Sequence, residues 1–185
     1  LETMEKNVDS LRDLKSDLAV EVVRRSVAIK AEVVSADEFE TGDMRVLLNY
    51  GHTIGHAIEA ATGYGSFLHG EAVSVGMMGA ARIGQALGVT PQETVERQEA
   101  LLQRFDLPLR CPGVDLERVA FAMALDKKVQ GKSIRWVLLE GVGRAVVRGD
   151  VPEDLVQRVL SELSEGASAT HCRTSLSACS YCSRL

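Results

Sequence analysis

The sequence predicts a mainly α-helical chain of several helices, with one small β-hairpin near residues 133–148. Two observations carry this expectation. Apolar residues recur at helical spacing through most of the chain, separated by short stretches rich in Gly, Pro and polar residues. Strand-type composition is confined to a single place, where two short apolar runs flank a glycine-containing turn.

The elements follow in order. Leu11, Leu14, Leu18, Val22 and Val23, then Val27, Ile29 and Val33, predict one or two helices from about residue 8 to residue 35. Residues 35–43 are polar and contain Gly42, so they read as a loop. A helix is expected over about 44–61, closed by Thr62-Gly63-Tyr64-Gly65-Ser66. From Ala72 to Leu87 the chain is rich in Ala, Met, Val and Gly, which predicts a helix buried almost all round. Its glycines, Gly70, Gly76, Gly79 and Gly84, leave room for a close neighbour or ligand. Thr90-Pro91-Gln92-Glu93 starts a helix that runs to about Phe105, and Pro108 and Pro112 then break the chain. Asp115 to Asp126 gives a short helix. The hairpin follows, with a turn at Gly141-Val142-Gly143, and Pro152 to Leu163 closes as a helix.

Residues 1–165 are expected to form one helical domain, since 185 residues with 45% hydrophobic content can bury one core. Residues 166–185 are rich in Ser, Thr and Ala and lack apolar periodicity, so they read as a disordered tail. Cys179 and Cys182 form a CxxC there, with His171-Cys172 nearby, but no second ligand pair accompanies them as a structural zinc site would require. Lys+Arg 21 against Asp+Glu 26 are scattered, giving a net charge of -5 and no basic patch to hold nucleic acid. No apolar run reaches the roughly 18–20 residues that span a membrane, and the start is charged, unlike a signal peptide. A cytoplasmic location is therefore expected. The chain opens at Leu1 within an amphipathic helical pattern, so further sequence is expected upstream.

Three of the four histidines, His52, His56 and His69, fall within eighteen residues. On a helix over 45–59, at ~100° per residue, Arg45, Asn49, His52, His56 and Glu59 share one face, while Ile54, Ile58 and Ala61 point the other way. A face carrying a guanidinium, an amide and two imidazoles is costly to bury unless something binds there. Histidines at i and i+4 can hold one metal ion from a single helix, and His69 can return to the same place after the glycine turn. Taken alone, this geometry nominates a three-histidine zinc site with an open fourth position. The alternative is that each histidine is an ordinary surface or hydrogen-bonded residue.

The ordered stretch Arg45-Val46-Leu47-Leu48-Asn49-Tyr50-Gly51-His52-Thr53-Ile54-Gly55-His56-Ala57-Ile58-Glu59, followed by Leu68-His69-Gly70-Glu71-Ala72-Val73, resembles the metal-site signature of 3-dehydroquinate synthases. Ile29-Lys30-Ala31-Glu32-Val33-Val34 and Met123-Ala124-Leu125-Asp126-Lys127-Lys128 extend the resemblance, which covers roughly residues 8–163. It implies a mainly helical C-terminal domain of a dehydroquinate synthase-like fold. It also implies a zinc (or cobalt) site with two histidines and a glutamate, with His52 and His69 as the histidine ligands.

His56 then corresponds to an active-site residue that contacts substrate and is not a ligand. The glutamate ligand lies on a family helix upstream of Leu1, so the third ligand is expected to be missing. Glu59 or Glu71 could substitute only by a departure from the family arrangement. The resemblance further implies that Lys30, Arg45, Asn49, His56 and Lys127 contact the phosphate, carboxylate or hydroxyls of a phosphorylated sugar acid. These are suitable types: Arg forks onto oxyanions, Lys acts as a point charge and Asn orients oxygens. Lys30 and Glu40, with His56, match catalytic positions, although the loop around Glu40 is a residue longer here.

The implied reaction converts 3-deoxy-D-arabino-heptulosonate 7-phosphate to 3-dehydroquinate and phosphate, a step of the shikimate pathway. It uses bound NAD, yet no dinucleotide-binding glycine loop occurs in this sequence, so NAD is expected mainly on a separate N-terminal domain. A homodimer is implied for the intact enzyme. The rivals are another sugar-phosphate cyclase, such as 2-deoxy-scyllo-inosose synthase, a relative of iron-dependent alcohol dehydrogenases, or a truncated helical domain without catalysis.

Overall fold

The computed structural model describes residues 1–13, 16–38, 44–63, 65–130 and 134–165, without the side chains of 126–130. Glu40, the side chain of Lys127 and the tail from 166 to 185 lie outside the described residues. The chain is mainly helical, in the order α1 (Glu2–Lys6), α2 (Val8–Arg12), α3 (Asp17–Ala36), a 3₁₀ turn (Arg45–Asn49), α4 (His52–Ala61), α5 (His69–Ala86), α6 (Gln92–Arg104) and α7 (Leu116–Gln130). The hairpin β1 (Trp136–Gly141) and β2 (Arg144–Arg148) and a last helix, α8 (Glu153–Ser164), complete it. The strands pair antiparallel, Trp136 opposite Arg148 and Leu138 opposite Val146. Gly143 turns the chain between them with φ +83°.

The central helix is α5, which packs against α4, α6, α8 and β1. Ten of its residues are buried, among them Val75, Met78 and Ile83, as its apolar composition predicts. Ile54 and Ile58 of α4 are 1% and 0% exposed, and burying such a side chain contributes about 1.5–3 kcal/mol. Val119 of α7, Leu138 of β1 and Leu163 of α8 close the same core.

The short helices at the start are tied to α6 by charge. The Arg97 guanidinium donates to both carboxylate oxygens of Glu5, Arg104 Nη1 donates to the Glu5 carbonyl at 2.6 Å, and Arg12 pairs with Asp106. Beneath these pairs Val8 and Leu11 are buried. The next helix, α3, is different. Ser16 caps it, its Oγ accepting the Ala19 N–H at 3.1 Å, but its side chains stay largely exposed.

One expected helix is not continuous. The stretch 44–61 is broken at Tyr50 and Gly51, so the Arg45–Asn49 turn and α4 are separate elements. Gly51 takes φ +79°, a left-handed conformation that a side chain disfavours. A Cβ there would also meet Met77 N at 2.8 Å and Val73 O at 2.9 Å. Arg45 and Asn49 therefore do not share a helical face with the histidines, contrary to the phase argument. Two other bounds move: α7 continues to Gln130 rather than stopping at Asp126, and β1 begins at Trp136.

Candidate metal centre

The site is built by the antiparallel crossing of α4 and α5. Gly76 of α5 lies so close to the turn before α4 that a Cβ on it would stand 1.9 Å from the Gly51 carbonyl oxygen. On α4, Gly55 faces the Val73 backbone, with a Cβ there 3.1 Å from Val73 Cα. Backbone thus meets backbone, close enough for side chains on α4 to reach the first residue of α5. His52 opens α4, His56 follows one turn later, and His69 opens α5.

The three rings cluster. Their centroids are 5.2 Å apart for His52 and His56, 5.4 Å for His52 and His69, and 5.7 Å for His56 and His69. One nitrogen of each lies within 4.8 Å of the others. A tetrahedral zinc ion with bonds near 2.0–2.1 Å holds its nitrogens roughly 3.3 Å apart, so the rings need only draw in slightly around an ion. Among the described residues, this is the one group of three or more metal-ligating side chains that meets that spacing.

The three histidines are not equivalent. His52 Nδ1 lies 3.1 Å from the Tyr50 carbonyl oxygen, which can only accept, so Nδ1 carries the proton and Nε2 keeps its lone pair. His69 Nδ1 faces the Glu59 carboxylate, 3.2 Å from Oε1 and 3.1 Å from Oε2, which places a proton on Nδ1 and, in the neutral ring, leaves the lone pair on Nε2. Metal-binding histidines are typically oriented in this way, through their second nitrogen. For His56 the described contacts are those with the other two rings, and it is exposed. Burial is the main cause that lowers the pKa of His52, with the neighbouring His56 and His69 adding to it; the Tyr50 carbonyl and Glu59 oppose them. The lowered value favours the neutral, metal-binding form.

The two glutamates considered as substitute ligands are otherwise engaged. Glu59 holds His69, and Glu71 accepts the Leu68 N–H at 2.8 Å, capping the first turn of α5. The turn that carries His52 is itself anchored. The Tyr50 hydroxyl donates to Gln98 Oε1 of α6 at 2.7 Å, and Gln98 Nε2 donates to the Met77 carbonyl at 3.0 Å. Burial raises the Tyr50 pKa, which keeps this hydroxyl protonated and able to donate.

The other expected site residues lie on neighbouring elements. Lys30 is exposed on α3. Arg45 stands on the 3₁₀ turn, its backbone N–H donating to the buried Asp37 carboxylate at 3.2 Å and its guanidinium to the Glu38 carbonyl at 3.3 Å. Asn49 lines a small depression with Thr53, Gly76 and Trp136. Cys111 is buried away from solvent, and burial pushes its thiol up to about 11, so it stays a thiol. Sequence reasoning left two residues without their actual roles, Glu59 as the partner of His69 and Tyr50 as the partner of His52.

A family model described as the 3-dehydroquinate synthase C-terminal domain matches residues 1–129. The chain belongs to the 3-dehydroquinate synthase family. A 3-dehydroquinate synthase of Nostoc punctiforme is 46% identical over 156 residues, which make up 84% of this chain and 43% of that protein. The chain spans less than half the length of this and similar curated relatives. Among solved structures, 2-epi-5-epi-valiolone synthase from Streptomyces hygroscopicus subsp. jinggangensis, with NAD+ and Zn2+ bound, gives a TM-score of 0.77 at 24% identity. It covers 88% of this chain and 45% of its own, and this likeness speaks to the fold. A 2-deoxy-scyllo-inosose synthase complexed with carbaglucose-6-phosphate, NAD+ and Co2+ gives 0.53 at 31% identity, covering 66% of this chain and 35% of its own. The mainly helical, dehydroquinate synthase-like fold expected from the sequence is therefore the one observed. No described helix is long and apolar enough to cross a membrane.

Proposed function

We propose that this chain is the metal- and substrate-binding part of a 3-dehydroquinate synthase, acting on a seven-carbon phosphorylated sugar acid. The observation that carries the reading is the histidine cluster, in which His52 and His69 have their Nδ1 atoms engaged and their Nε2 atoms available. These two are the metal ligands in this reading. His56, exposed beside them, contacts the substrate and exchanges a proton with it. When bound, a zinc or cobalt ion polarises a substrate hydroxyl or carbonyl, and NAD, held mainly by another domain, carries the hydride.

The remaining roles are electrostatic. Lys30, Arg45, Asn49 and Lys127 bind phosphate, carboxylate and hydroxyl oxygens, and Glu40 acts with Lys30 and His56 in proton handling. Orientation of the substrate by these groups supplies much of the rate. The same proposal includes a homodimer in the intact enzyme and a cytoplasmic location. A second reading, another sugar-phosphate cyclase, is favoured by the likeness to 2-deoxy-scyllo-inosose synthase at 31% identity. A panel of phosphorylated sugar substrates offered to an intact enzyme carrying this domain separates the two.

The test combines metal analysis with turnover. In an intact enzyme containing this domain, His52→Ala and His69→Ala are expected to lose zinc, while His56→Ala keeps zinc and loses rate. Equal zinc loss in all three variants restores the three-histidine site. The 185-residue chain alone, given NAD and zinc, is expected to show no turnover of the seven-carbon phosphate, and measurable turnover overturns the reading of it as one part of the catalytic unit.

A further inference from the structure

We infer that Glu59 is a positioning residue for the metal centre, fixing the tautomer and tilt of His69 from across the α4–α5 crossing. The inference rests on the proposal that His69 is a ligand. Its basis is geometric. Glu59 lies one turn beyond His56 on α4, and both of its carboxylate oxygens sit at 3.1–3.2 Å from a single nitrogen, His69 Nδ1. The Glu59 side chain is 12% exposed, whereas that of His69 is 57% exposed. A solvated surface pair would leave both partners open and contribute little. Here the carboxylate is packed down and the imidazole reaches out from it.

The consequence for the ring is specific. A carboxylate can only accept, so the proton on Nδ1 is fixed, and in the neutral ring Nε2 keeps its lone pair on the far side. Without such a partner, neutral histidine can carry its proton on either nitrogen, and the form protonated at Nε2 must give up that proton before it can bind an ion there. His69 is also the first residue of α5, and its side chain is largely exposed. Glu59 restrains it. Because it grips Nδ1, its oxygens face away from Nε2, so it supports the ligand without being one. The crossing itself makes this possible: Gly55 and Gly76 let α4 and α5 close until a glutamate on one helix reaches the first residue of the other.

The experiment uses the whole 185-residue chain and Zn2+ as the probe, titrated in competition with a chromophoric chelator. Glu59→Ala is expected to weaken zinc binding about 10- to 100-fold, and Glu59→Gln, which keeps the shape and an acceptor oxygen but not the charge, less. Imidazole 15N–1H correlation spectra of the metal-free protein give a readout that a purely structural role leaves alone. His69 is expected to be protonated at Nδ1 in the wild type, and in Glu59→Ala to shift toward protonation at Nε2. His52→Ala and His69→Ala serve as controls for the metal reading itself. Zinc affinity unchanged in those controls overturns the proposed metal site. Affinity lost in the controls but unchanged in both Glu59 variants overturns the positioning role alone. Should Glu59→Ala lose its helical circular dichroism, the isosteric Glu59→Gln decides the matter by the same comparison.

Discussion

Two long helices of this chain, α3 and α5, have similar length and both are rich in Val and Ala, yet they end in opposite environments. In α5 ten of eighteen residues are buried. In α3, over twenty residues, Ala19 is the buried one, and Val20, Val23, Val27 and Ile29 are 56–62% exposed. Apolar content therefore does not decide which helix becomes the core. What separates them is the distribution of small residues: α5 carries Gly76 and Gly79 where α4 and α8 arrive, so neighbours can approach to backbone distance. The main contacts of α3 are with α2 and the 3₁₀ turn. The three clustered histidines sit on the tightly packed pair, where the spacing of their rings is set by backbone contact.

This contrast can be broken most severely at Gly76. Gly76→Ala places a Cβ against the Gly51 carbonyl oxygen, and since neither backbone can yield, the helices must separate. A loss of about 4 kcal/mol or more is expected, measured as the shift in urea midpoint, together with weaker zinc binding. A smaller effect is expected at Gln98, which is 9% exposed and holds Tyr50 to α6. Gln98→Leu leaves the Tyr50 hydroxyl without that acceptor and should cost about 1–3 kcal/mol in the same assay. The smallest effect belongs to α3. Val23→Thr and Val27→Thr, both on its exposed face, should change the stability of the isolated chain by no more than about 0.5 kcal/mol. A loss comparable to that at Gln98 would erase the distinction between the two helices.

Much of the architecture was legible before any coordinates. The apolar run from Ala72 marked α5 as a buried helix, and Pro91, Pro108 and Pro152 marked boundaries within a few residues. The clustering of His52, His56 and His69 was legible too, but for a partly wrong reason. It assumed one helix through residues 45–59, whereas the chain turns at Gly51 and the cluster comes from the crossing of two helices. A glycine in a left-handed turn and a glycine at a helix crossing look alike in a sequence, because both express the absence of a side chain. The role of Glu59 was out of reach for a related reason. Its phase placed it on one face with His52 and His56, and only the position of His69 on the opposing helix shows which atom it holds.

Tyr50 joins the two ends of this account. Its hydroxyl is bound to Gln98 of α6, and its carbonyl receives the His52 ring. Because both groups belong to one residue, the distance between them is held by covalent bonds and a single side-chain rotamer. The tilt of His52 is thus inherited from α6, a helix that contributes nothing to the cluster itself. Residues able to tune the centre extend beyond the two helices that form it, and a change on the outer side of the domain can reach an imidazole through one tyrosine.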